Sequence, residues 1–241
     1  MSRATDTRTG SGAGLTRRAV LRRTGVLTLG AAAACSTEPA GPTPQPATSD
    51  AALSPDAPAR PRVLLAYFSR PGENYYYGGR RNLKVGNTEV VARMMRERLR
   101  VDTYRIEAAE PYPFSYDATV ARNREEQEQD ARPALAVPPP GIDGYDVVLL
   151  GGPVWNVGAP MVMYTLLEQW DLRGKAILPF VTYAVSGMGR VADEYAALAP
   201  DATVGEGLAV QGEAARRATS DVDAWLRGAG GGQVPRCGVR R

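Results

Sequence analysis

Three stretches of the 241-residue chain gather side chains suited to a small anionic or aromatic ligand, and each follows an apolar run. After VLLAYF come Ser69 and Arg70 and, further on, Gly86-Asn87-Thr88, where a helical pattern begins. After YDVVLL comes Gly151-Gly152-Pro153-Val154-Trp155-Asn156. Thr182 and Tyr183 close AILPFVTY, with Ser186 and Gly187 just beyond. A helix start offers unpaired N–H groups and the positive end of a dipole, so Gly86-Asn87-Thr88, with hydroxyls from Ser69 and Thr88, suits a phosphate. Taken alone, the tripeptide reads more simply as Asn87 or Thr88 capping a helix. Trp155 beside glycines suits a flat ring, whose stacking is worth about 0.5–1.5 kcal/mol beyond its burial. A lone tryptophan after a strand is more often core. The first stretch has neither Gly-Lys-Ser/Thr nor G-x-G-x-x-G, which argues against a nucleoside triphosphate or a dinucleotide there.

Absences narrow the chemistry. The chain has no histidine, so imidazole bases, serine–histidine or cysteine–histidine nucleophilic catalysis and the commonest metal ligand are excluded. Its two cysteines, Cys35 and Cys237, stand outside the region of regular pattern, excluding a zinc cluster, an iron–sulfur centre or a catalytic thiol within it. Residues 1–60 hold seven arginines and four acids, and residues 236–241 hold three arginines. With a net charge of +3 overall, residues 61–235 carry about −3. The basic balance belongs to the ends, and no nucleic-acid partner is expected.

The N-terminus reads as a targeting segment. Arg17, Arg18, Arg22 and Arg23 precede an apolar run from Val26 to Ala34, far shorter than the roughly 20 residues of a membrane span. Thr16-Arg17-Arg18-Ala19-Val20-Leu21 resembles the twin-arginine export motif, and Ala32-Ala33-Ala34-Cys35 resembles a lipobox with alanine where leucine is usual. These resemblances imply an exported protein, with Cys35 lipidated and the membrane reached by that anchor only; cleavage at an ordinary A-x-A site with secretion is the alternative. Residues 36–61 are rich in Pro, Ala, Ser and Thr and poor in large apolar side chains, as in a disordered tether. The expected organisation is a signal over 1–35, the tether over 36–61, one domain over 62–227 and a flexible basic tail over 228–241.

Within the domain, apolar runs alternate with helical patterns. RVLLAYF has the near-continuous apolarity of a strand buried on both faces, and VDTYRIE is more polar, as at a sheet edge. Val91, Met94, Met95 and Leu99 recur at helical spacing; residues 115–130 read as a charged, exposed helix; Pro160 opens another. A short helix over 191–198, an extended segment over 203–210 and a last helix over 213–226 complete five strand–helix alternations. That pattern predicts an α/β fold with a parallel sheet wrapped by helices. In such a sheet, ligands bind beyond the carboxyl ends of the strands, where the three stretches lie.

Taken in order, YFSR…GNT…VA, GGPVW…AP and GKAILPFVTYAVSGMG resemble the flavodoxin-like FMN-binding family across residues 62–227. The resemblance implies a doubly wound five-stranded parallel sheet of order 2-1-3-4-5 in three αβα layers, with FMN as cofactor. It places Ser69, Arg70, Gly86, Asn87 and Thr88 around the phosphate, and Pro153, Val154, Trp155 and Asn156 beside the ring. Thr182, Tyr183, Ser186 and Gly187 then complete the pocket. No side chain need be catalytic, because the flavin performs the redox chemistry. The expected role is electron transfer at the outer face of the cytoplasmic membrane, toward a redox partner protein or a small-molecule acceptor. An NAD(P)H-dependent reductase of quinones or other small molecules, or a flavin-free binding lipoprotein, are the alternatives. Family members run almost directly from the serine to Gly-Asn-Thr, whereas Arg70–Val85 intervenes here. That insertion, NYYYGGRR at its centre, could fold over the flavin or form a partner-binding surface.

Overall fold

The computed structural model describes residues 61–99 and 101–228. The expected signal, Cys35, the tether up to residue 60 and the tail from residue 229 lie outside the described residues.

Strand β1 (Val63–Phe68) is buried along its whole length, as its unbroken apolarity requires. Its partners are β4 (Asp102–Ile106) on one side and β5 (Val147–Pro153) on the other, both parallel. β6 (Ala176–Tyr183) follows β5, with β7 (Thr203–Val204) and β8 (Leu208–Gln211) successive parallel partners of β6. Counting β7 and β8 as one interrupted fifth strand, the order is 2-1-3-4-5, as expected. The edge strand β4 buries Tyr104 and Ile106 while its other residues stay exposed. The expected fifth segment breaks at Gly205–Gly207 because the chain there presses on β6. A Cβ on Gly205 would sit 2.5 Å from the Leu178 side chain, and one on Gly207 2.2 Å from that of Met188. The Trp225 indole pins the break by donating to the Glu206 carbonyl at 2.9 Å.

Helices cover both faces. α1 (Asn87–Leu99) and α5 (Thr219–Gly228) bury Val91, Met95, Val222 and Trp225 against Val63, Leu65 and Leu149. α3 (Met161–Gln169) and α4 (Val191–Leu198) bury Val162, Leu166 and Tyr195 against Leu64, Ala66 and Leu150. Alternate residues of β1 thus serve opposite layers, which is the period-two geometry of a strand. The expected last helix divides into a 3-10 turn, Gly212–Arg217, followed by α5.

Two further elements were not foreseen in this form. The insertion is a β-hairpin, β2 (Gly72–Tyr76) against β3 (Gly79–Leu83), turning at Tyr77 and Gly78 with φ of +46° and +83°. Two positive φ angles give the turn whose twist suits a hairpin. The second is α2 (Tyr116–Glu128), expected to be exposed: it buries Thr119, Asn123 and Glu126. Those residues share a helical stripe that only the uncharged Tyr116, Val120 and Gln127 extend, so polarity alone concealed an inward face.

Candidate functional site

The carboxyl ends of β1, β5 and β6 open into a cavity of about 270 Å³. On one side stands the first turn of α1. Ser69, at the end of β1, accepts a hydrogen bond from the Glu89 amide at 3.0 Å and so caps α1 from outside the helix, in place of Asn87 or Thr88. Thr88 instead shares a hydrogen bond with Thr182 of β6, Oγ1 to Oγ1 at 2.8 Å. Ser69 accepts, and one threonine must accept from the other, so each pairing leaves a hydroxyl hydrogen uncommitted. Two donors thus stand at the positive end of a helix, in a buried position. Gly86 permits this closeness: a Cβ there would lie 2.4 Å from Ser69 Oγ and 2.5 Å from the Arg70 carbonyl.

The next loop is a two-residue turn. Trp155 and Gly158 exchange backbone hydrogen bonds of 2.9 and 3.0 Å across Asn156 and Val157, whose φ angles are +47° and +69°. Asparagine tolerates that conformation, whereas β-branched valine is strained by it. Arg190 donates from its amide to the Val157 carbonyl at 2.7 Å, and Val154 from its amide to that of Thr182 at 2.9 Å, so the loops after β5 and β6 hold each other. Trp155 packs edge-on against Phe68 and Tyr112, centroids 5.5 and 5.0 Å away, and its remaining surface lines the cavity.

The opposite wall comes from the hairpin and α2, through Asn74, Tyr75, Tyr116, Thr119, Val120, Asn123 and Arg124. The hairpin is strapped at both ends. At one, Arg70 donates to the carbonyls of Pro113 (3.0 Å), Phe114 (3.1 Å) and Glu73, and the Glu73 carboxylate accepts from the Tyr116 amide at 3.0 Å. The Arg80 guanidinium lies 3.7 Å from the centroid of the Tyr116 ring. At the other, the Tyr77 amide donates to Glu213 Oε1 at 2.8 Å. Burial pushes the Arg70 guanidinium below its ordinary value, and nearby Glu73 draws it partly back.

Of the thirteen residues expected around a ligand, Ser69, Arg70, Asn87, Thr88, Pro153, Val154, Trp155, Asn156, Thr182 and Tyr183 line one cavity. Gly86, Ser186 and Gly187 are outside the lining: Gly86 packs behind Ser69, and Gly187 takes a positive φ of +60° in the turn beyond β6. The α2 residues and Glu213 were missed. The stripe of α2 whose single charge is Glu126 was their one signal; Glu213 reaches the cavity only through the 3-10 turn, which nothing in its spacing announces.

Comparison with known proteins agrees with this architecture. Solved structures similar to the chain include three flavoproteins. A candidate flavoprotein from Bacteroides eggerthii DSM 20697 is 28% identical, with 70% of this chain and 98% of that one covered and a TM-score of 0.57. One from Bacteroides uniformis ATCC 8492 is 24% identical, with 70% and 99% covered and a TM-score of 0.55. A flavoprotein from Lactobacillus acidophilus NCFM, crystallised with FMN, is 18% identical, with 68% and 98% covered and a TM-score of 0.50. The search of curated proteins found no match. The family model described as Flavodoxin matches residues 82–228, from the end of the hairpin through α5, and the chain belongs to that family.

Proposed function

We propose that the protein binds FMN non-covalently in this cavity and works in electron transfer. The observation that carries the reading is the pair of uncommitted hydroxyl hydrogens, one on Ser69 and one shared between Thr88 and Thr182, at the start of α1. Those donors suit phosphate oxygens, and Arg70 adds a buried Nε without a partner among the described residues. Glu213 Oε2, equally buried and unpartnered, suits a ribityl hydroxyl. Pro153, Val154, Trp155, Asn156 and Tyr183 offer the ring its apolar and aromatic contacts. When bound, FMN supplies the redox chemistry; the chain orients it and limits its contact with water. The export-like N-terminus supports placing this activity outside the cytoplasmic membrane, tethered through Cys35, with a redox partner protein or a small molecule as acceptor.

A second reading, an NAD(P)H-dependent small-molecule reductase, is favoured by one feature: Asn74 and Tyr75 wall the cavity instead of leaving it open to a protein partner. Titrating the purified full chain with FMN tests the first reading. Saturable binding, seen as quenched flavin fluorescence, and weaker binding of riboflavin, which lacks the phosphate, are expected. Absence of binding would leave a flavin-free binding protein. NAD(P)H oxidation by the loaded protein would favour the reductase.

A further inference from the structure

Asn123 has no function in the account so far. It lies in the second turn of α2, is 3% exposed, lines the cavity, and its Oδ1 is buried without a partner. Its carboxamide makes no hydrogen bond among the described residues, whereas Thr119, Glu126 and Gln127 on the same helix all do. Thr119, one turn earlier, is committed to the carbonyls of Pro113 and Ser115 at 3.0 and 2.8 Å. Glu126 accepts from Tyr112 and Arg122, each at 2.7 Å, and Gln127 is engaged with Trp155 and Asn156. A carboxamide oxygen sealed from water and left unpaired carries a desolvation cost that a partner in the cavity would offset. The Gln127 contacts locate this part of the wall: one turn beyond Asn123, α2 is fastened to the loop that carries Trp155. Asn123 therefore lies on the part of the wall nearest the Trp155 loop.

A carboxamide presents an acceptor and a donor side by side, and a half-turn of its terminal torsion exchanges them. The complementary ligand is a planar ring whose edge sets an N–H beside a carbonyl. We infer that Asn123 is a specificity residue for this site, pairing with the N3–H and adjoining carbonyl of the flavin's pyrimidine edge; the inference rests on the FMN reading above. Thr119 and Val120 flank it and offer no competing partner. Arg124, the next residue, is exposed and makes no hydrogen bond or ion pair among the described residues; Asn123 can read an imide edge without imposing a charge.

The test is a binding cycle on the full chain, with FMN and N3-methyl-FMN as probes and fluorescence quenching as readout. The native protein is expected to prefer FMN by on the order of fivefold to tenfold, the value of one buried neutral hydrogen bond. Asn123→Leu, of similar volume, is expected to lose that preference, binding both flavins about equally while its ligand-free melting temperature does not fall. Asn123→Asp retains an acceptor for N3–H and adds negative charge, so it is expected to keep the preference and shift the bound flavin's midpoint potential downward. An undiminished preference in Asn123→Leu overturns the inference and leaves the FMN reading intact. Absence of FMN binding by the native protein overturns both.

Discussion

The two sides of the cavity are held by different means. On the side proposed to hold phosphate, Ser69, Thr88 and Thr182 sit at strand ends or in a helix's first turn; Thr88 and Thr182 bond each other and Ser69 accepts from the Glu89 amide, so the scaffold sets their positions directly. On the opposite side, Asn74 and Tyr75 ride on a hairpin outside the central sheet, fastened by Arg70, Glu73 and Glu213. The first arrangement resists change through packing and the second through a few buried polar contacts. Loss of the close approach at Gly86 should therefore have the largest effect. Gly86→Val would force a side chain against Ser69 Oγ and the Arg70 backbone, which cannot swing aside as a side-chain tip can. We expect destabilisation of about 2–3 kcal/mol in urea denaturation and FMN affinity lowered at least about tenfold. Unchanged affinity would mean that the α1 turn is not where the nucleotide is held.

In the ligand-free protein, Arg70→Met should act on the wall alone, and less severely; with FMN it also removes the Nε offered to the phosphate. It leaves the carbonyls of Pro113, Phe114 and Glu73 without their shared donor, at a cost of about 2 kcal/mol. Hydrogen exchange should then quicken at the amides of Glu73 and Tyr77, which bind Phe114 and Glu213, while the Glu89 amide on Ser69 stays protected. Equal loss of protection at Glu89 would show the two sides to be one cooperative unit.

The same division explains what could be read from the sequence. The cradle was legible because a strand end and a helix start are contiguous features: VLLAYF-Ser69 and Gly86-Asn87-Thr88 announce themselves locally. So were the strand order, which follows from alternation and the family resemblance, and β4 as an edge, from its polarity. The role of Ser69 as the cap of α1 was hidden, since capping across 20 residues leaves no pattern in spacing. The wall was hidden for another reason. α2 carries so many charges that its inward stripe gives almost no amphipathic contrast, and the inward residues Thr119, Asn123 and Glu126 are themselves polar. In the insertion, Tyr77-Gly78 between β-prone residues suggests a turn, but where a hairpin docks depends on Arg70 reaching Pro113 and on Glu213, 136 residues from Tyr77.

A smaller effect of opposite sign is expected at the strained turn beside Trp155. Val157 has a φ of +69° and is 45% exposed, so its side chain returns little packing for the strain it imposes. Val157→Gly gives the Asn-Gly pair that such a turn favours and should stabilise the protein by about 1 kcal/mol, seen as a higher melting temperature. FMN affinity should change less than about twofold, because the turn's backbone, not the valine, places Trp155. A fall in affinity would mean that the strain itself helps to set the ring seat.

The least perturbing probe is pH. With no histidine in the chain, stability should stay nearly flat from about pH 6 to pH 8. Both sides of the sheet then contain phenols that resist ionisation. Tyr67, packed beneath α1, is raised by burial and then by Glu89. Tyr112, beside Trp155, is raised further, by burial and then by its hydrogen bond to Glu126. Tyr164 on α3 is pushed up to about 12, by burial and then by Glu194. A phenol whose folded value exceeds its ordinary value near 10 keeps its proton in the folded chain and releases it more readily in the unfolded one. Its contribution is therefore complete below pH 10 and is lost as pH rises toward 12. Denaturation midpoints at pH 7, 9, 10.5 and 11.5 should show that late decline. Replacing Tyr112 with phenylalanine should flatten the decline more than the same change at Tyr67, because the Tyr112 hydroxyl donates directly to a carboxylate, whereas Tyr67 only lies near one. Equal flattening by the two substitutions would mean that the hydrogen bond to Glu126 adds nothing to the hold on that proton.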